Sequence, residues 1–154
     1  MKSSFLMILI YTSVFICSTS SGNKEDENIN TERKSTMTNG KIKIAVNLKS
    51  FTATLLDNDS AKAFKELLPM TIHMTELNGN EKYYDLTNKL PTKSSNPGTI
   101  HNGDLMLYGS KTLVLFYKSF STSYSYTKLG SIDDPNGLEE ALGTGSVSVT
   151  LDNN

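Results

Sequence analysis

The residues able to do chemistry in this sequence are few and scattered. Two histidines, His73 and His101, one arginine, Arg33, and one cysteine, Cys17, are all the chain offers of those types. His73 stands on the polar side of an alternating segment, between Thr71 and Thr75. It reads either as a general base or ligand anchor, or as a solvated strand residue. His101 lies beside Asn102-Gly103 and reads as a turn residue at the surface. A metal site needs several His, Cys, Asp or Glu ligands held together, and two separated histidines do not supply one. Asp133-Asp134 would suit a hard cation, but capping a helix accounts better for Asp134. No Gly-x-Ser-x-Gly elbow and no glycine-rich phosphate loop occurs. The hydroxyls between Ser119 and Tyr126 have no base beside them in sequence. Neither a catalytic set, nor a metal, nor a cofactor is expected.

The aromatic residues carry more information. Tyr83, Tyr84, Tyr108, Tyr117, Phe120, Tyr124 and Tyr126 combine apolar rings with polar tips, which suits either a recognition groove or the filling of a core. If Ser119–Thr127 is extended, Tyr124 and Tyr126 point to the same side. Together with His73, the residues Tyr83, Tyr84, Phe120, Tyr124 and Tyr126 are candidate contacts for a peptide or small-molecule ligand. A formal net charge of −1 argues against a nucleic-acid partner, because such binding runs on many unpaired Lys and Arg.

These side chains need elements to position them. Ile42, Ile44, Val46 and Leu48 alternate with polar residues, the period of a half-buried strand, and after Lys49-Ser50 a second strand covers Phe51–Leu56. Asn58-Asp59-Ser60 offers N-caps for a helix through Leu68, whose apolar side holds Ala61, Phe64, Leu67 and Leu68 and which Pro69 stops. Met70, Ile72 and Met74 mark a third strand, and Glu81–Leu86 a fourth beyond the Asn78-Gly79-Asn80 turn. Thr87–Gly103 reads as a long loop. Asp104–Tyr108 and Thr112–Tyr117 read as a buried hairpin, and Leu129–Ile132 as a short extended piece. Asp134 with Pro135 starts a short helix with Leu138, Ala141 and Leu142 inward, and Gly143 ends it. Val147, Val149 and Leu151 make the last strand. Many short strands with two helices describe an antiparallel barrel or sandwich, and the order of elements favours a closed barrel capped by the helices.

The N-terminus is of a different kind. Lys2 precedes a run from Phe5 to Ile16 of about a dozen mostly apolar residues, too short for a comfortable membrane span and suited to a signal peptide. A signal over residues 1–22, a polar linker over 23–40 and a domain over 41–152 are expected, and the protein is expected to be exported to the periplasm, cell surface or envelope. Cys17 leaves two readings open. It is either the lipid-modified first residue of a mature lipoprotein, though Ile16 before it departs from the usual small residue, or an ordinary residue of the apolar run with cleavage beyond it. Membrane association is expected only through that signal or anchor. A single cysteine permits no disulfide within the chain.

Several segments resemble the small bacterial cyclophilin-like proteins. They are Asp59-Ser60-Ala61-Lys62-Ala63-Phe64 with Leu67-Leu68-Pro69, then Leu77–Tyr83, Asn96–Ile100, Gly103–Gly109 and the long stretch Leu113–Pro135. The resemblance runs over Lys41–Asp152 and implies a mainly β fold, a closed antiparallel barrel of about eight strands with two helices capping it. These relatives carry no agreed activity. True cyclophilins isomerise X-Pro bonds with an arginine beside an aromatic pocket. Their Phe-His-Arg strand would fall near Thr71-Ile72-His73-Met74, which has no arginine. Their Phe-Met-x-Gln-Gly-Gly strand would fall near Tyr83-Tyr84-Asp85-Leu86, which matches in aromaticity alone. The sequence has no tryptophan for the pocket wall. Isomerase chemistry of the usual kind is therefore not expected. A non-catalytic binding module is the first expectation, and if a groove exists, the resemblance places it on the barrel exterior near His73, Tyr83 and Phe120. A degenerate isomerase and an accessory subunit for another envelope protein are the rival expectations.

Overall fold

A strand that is apolar on alternate residues buries one face, and eight such strands here bury it against one another by closing into a barrel. The computed structural model describes residues 40–154. The signal, the linker up to residue 39, Cys17 and Arg33 lie outside the described residues. In chain order the elements are β1 (Lys41–Val46), β2 (Lys49–Leu55), α1 (Asp59–Lys65), β3 (Met70–Leu77), β4 (Glu81–Asp85), β5 (Thr99–Ile100), β6 (Asp104–Tyr108), β7 (Thr112–Phe116), β8 (Phe120–Ser121), β9 (Thr127–Ile132), α2 (Leu138–Leu142) and β10 (Val147–Asn153). The barrel order is β1-β10-β3-β4-β7-β6-β9-β2, closed between β2 and β1, with every pair antiparallel. The closed eight-stranded barrel with two helices is the fold that the sequence resemblance implies.

Inward residues of the strands, among them Ile42, Ile44, Ile72, Met74, Leu105, Leu107, Leu113, Leu115 and Val149, form one core. The helices close its two ends. Asn58 caps α1 by accepting the Ala61 amide at 2.8 Å, and Ala61 and Phe64 turn inward. At the opposite end α2 buries Leu138, Ala141 and Leu142, and the β1–β2 turn holds it through Asn47, whose amide donates to the Ala141 carbonyl at 2.8 Å.

Several sequence expectations need correction. Leu48 continues the alternation on paper but sits fully exposed at the tip of the β1–β2 turn, where Asn47 takes a positive φ of 52°. The first helix ends at Lys65 rather than Leu68; looser turn bonds, Leu67 to Phe64 and Leu68 to Lys65, carry the chain on to Pro69. Asp134 does not cap a helix. Its carboxylate accepts the Asn136 amide in a local turn, and α2 begins three residues beyond Pro135, after Gly137 in the left-handed region. Asp133 is engaged by Lys41 and Thr54. The loop 87–103 contains β5, which pairs with β8, and Ser95 bridges to Tyr126. Ser119–Tyr126 is mostly irregular, so Tyr124 and Tyr126 do not share a strand face: Tyr124 is 62% exposed and Tyr126 8%.

Candidate functional site

The strands β6 and β7 are apolar on both faces because both are covered. Leu105, Leu107, Leu113 and Leu115 point into the barrel. Met106, Val114 and Phe116 point outward into a second, smaller cluster with Ile100 and Tyr126, against which Tyr83 and Phe120 pack. The two loop segments before β6 and after β7, tied together by the β5–β8 pair, lie over that outer face. The Thr122 amide donates to the Gly98 carbonyl at 3.0 Å, and the Ser95 and Tyr126 backbones exchange two bonds, each of 3.0 Å.

Beside this cover lies a cleft of about 510 Å³, within the usual size of small-ligand sites. Tyr83 and Val114 form its floor, Phe120, Tyr124 and Tyr126 one wall, and Leu77, Asn78 and Asn80 of the β3–β4 turn its far end. Tyr108 from β6 packs against both Tyr124, edge-on at 6.2 Å between centroids, and Tyr126 at 5.7 Å. Tyr126 also meets Phe116 edge-on at 5.5 Å. The buried ring is thereby locked and the exposed ones are propped on it.

Alternation along β4 decides what else faces the cleft. Glu81, Tyr83 and Asp85 turn outward to it, while Lys82 and Tyr84 turn into the barrel. Asp85 accepts from the Thr112 hydroxyl at 2.6 Å. Glu81 is only 9% exposed and has no hydrogen-bond or ion-pair partner among the described residues. Burial pushes its carboxyl above the ordinary range, and the neighbouring Glu76 charge adds to that. Burial, then the Glu81 charge, raises the Tyr126 phenol as well. The side-chain oxygen of Asn80 is covered, and no described residue donates to it. Among the described residues no lysine, arginine or histidine lines the cleft.

The inward side of the same hairpin holds a different set. Lys82, wholly buried, pairs with Glu76 and donates to the carbonyls of Gly143 at 2.7 Å and Gly145 at 2.6 Å. Tyr117 donates to the Glu76 carboxylate at 2.8 Å and its ring lies 5.3 Å from the Lys82 ammonium. This network fills the barrel end under α2 and ties down the segment leading to β10.

Of the sequence candidates, the structure brings Tyr83, Phe120, Tyr124 and Tyr126 together at the cleft. His73 does not join them. It lies on the exposed face of β3 opposite Ser148 of β10, with Nδ1 3.4 Å from that hydroxyl. Tyr84 packs on the main core. His101 is exposed and 3.8 Å from Asp104. Glu81, Asp85 and Asn80 were not among the candidates, although period-2 alternation from Tyr83 puts both carboxylates on its side. Among the described residues no group of three or more His, Cys, Asp or Glu is placed to hold a metal ion.

A closed antiparallel barrel with a helix at each end and an aromatic cleft on its outer wall is a cyclophilin-like architecture. The model of the Cyclophilin-like family matches residues 44–152, and the chain belongs to that family. Among solved structures, it is similar to the solution structure of a hypothetical protein from Archaeoglobus fulgidus. That match has a TM-score of 0.57 at 16% identity and covers 76% of this chain and 96% of the other; at that identity it speaks for the fold alone. Among curated proteins nothing matches.

Proposed function

We propose that this cyclophilin-like domain is a non-catalytic binding module of the cell envelope that takes a peptide or small ligand in the cleft on its outer wall. The observation that carries this reading is the cleft itself, floored by Tyr83 and walled by propped aromatic rings. Aromatic surfaces of this kind bind by burial and edge contacts, with polar tips to orient the guest. The described residues that line it offer no nucleophile–base pair, and the sequence supplies no arginine beyond Arg33 to polarise a peptide bond. A proline-isomerisation assay on the purified protein should give no rate above background, with His73→Ala unchanged. A rate that falls in that variant would overturn the reading in favour of an enzyme. The envelope location rests on the apolar run from Phe5 to Ile16. Mass spectrometry of the mature N-terminus should find a lipidated Cys17 or a free residue just beyond it; an intact Met1 on the cellular protein would remove export.

A further inference from the structure

The cleft is rich in acceptors, and the described residues that line it bring no positive charge to meet them. Glu81 is nine-tenths buried and faces it with no partner among the described residues, and at the same end no described residue donates to the covered Asn80 side-chain oxygen. A mostly buried carboxylate held without a partner is costly. A guest that brings N–H donors to the Glu81 carboxylate removes that cost. Asp85 adds a second carboxylate at the open side, and Tyr83, Tyr124 and Tyr126 line the path between them. Faces of aromatic rings attract cations within about 6 Å. The other charges nearby do not satisfy this demand, because Glu76 and Lys82 neutralise each other inside the barrel.

We propose that the cleft takes a primary ammonium or guanidinium group on an apolar stem, the chemistry of a lysine or arginine side chain or of a free polyamine. The charged group sits against the Glu81 carboxylate, and its stem lies along the tyrosine rings toward Asp85. This rests on the cleft being a binding site. The raised Glu81 carboxyl agrees with it, since a cation in place would restore the ionised form.

Backbone-amide NMR titration of the purified protein tests both steps. The probes are acetylated, amidated tripeptides with lysine, arginine or uncharged norleucine between two alanines, and spermidine. Lysine or arginine peptide should shift the amides of Asn80, Glu81, Tyr83 and Tyr124, and norleucine should bind roughly ten- to hundredfold more weakly. Glu81→Gln should remove that preference, and Asp85→Asn, at an exposed position, should weaken it should Glu81→Gln not fold. Binding by the peptides but not spermidine, or the reverse, supports the proposal and assigns the source of the cation. Norleucine binding equal to lysine, indifferent to both variants, overturns the cation class and leaves the cleft as a binding site. An absence of cleft shifts with every probe overturns both.

Discussion

Glu76 and Glu81 stand on either side of one hairpin turn, and their surroundings push their carboxyls in opposite directions. Burial raises Glu76, but hydrogen bonds from Lys82, Tyr117 and the Gly79 amide outweigh it and leave the group below its ordinary 4.5. Burial with the Glu76 charge leaves Glu81 above that value. By linkage, Glu76 contributes stability that is present above 4.5 and lost as the pH falls through its lower folded value. For Glu81 the stabilising form is the protonated one; its contribution is complete below 4.5 and lost as the pH rises through its raised folded value. At neutral pH an ionised Glu81 therefore weakens the fold, a common property of groups placed for binding. Glu81→Gln is expected to raise the urea midpoint near pH 7 and to change it little near pH 4, below the unfolded value. An equal gain at both values, or a loss near neutrality, contradicts the burial argument. Lys82→Met should do the opposite. It strands Glu76 and two carbonyls, at a cost of about 3 kcal/mol, the low end for a broken buried pair because water reaches one side of Glu76. Urea unfolding should also show a flatter acid limb in this variant, since Glu76 then loses its strongest donor.

At the scale of elements, what the sequence displays and what it hides follow from the length over which a pattern repeats. The alternations through Ile42–Val46, Met70–Met74 and Val147–Leu151 are long enough to show which face is buried, and β1, β3 and β10 lie there. The double-faced runs at β6 and β7 read as a buried hairpin and pair as one. The wall of the cleft is invisible by the same logic. β5 and β8 have two residues each, too few to show a period, and their pairing joins positions about twenty residues apart. Tyr124 and Tyr126 meet Tyr108 through loop geometry, which periodicity cannot encode. Ile100, fully buried, is the peg that holds this cover to the barrel. Ile100→Ala should cost about 2–4 kcal/mol, and the loss should be local first. Hydrogen exchange should quicken at the Ser95, Thr122 and Tyr126 amides, which bond within the cover, before it changes in β1 or β10. A uniform rise in exchange through the barrel strands would show instead that cover and barrel unfold as one unit.

For the whole molecule the decisive step is closure, because a closed barrel leaves no strand edge exposed. One seam of the ring joins β2 to β9, whose register spans three residue pairs, Ala53 with Ile132, Thr54 with Ser131 and Leu55 with Gly130. Gly130 is what allows that approach. A methyl group there would meet the Thr54 carbonyl oxygen at 2.3 Å and the Leu55 Cα at 2.9 Å, both backbone atoms that cannot swing aside. Gly130→Ala must therefore spread the two strands. The expected cost is about 3 kcal/mol or more, at or beyond the upper end for overpacking, because three pairings share the strain. Spreading the seam would also expose the N–H and C=O groups of β2 and β9 that now pair across it. Light scattering should then detect self-association in this variant well below its unfolding midpoint. Gly145→Ala is the matched control, since no atom of the described residues lies within 4 Å of a methyl group there. It should unfold close to the parent midpoint and remain monodisperse, whichever association state the parent shows. If both variants behaved alike, the short β2–β9 seam would not be where this barrel is most easily opened.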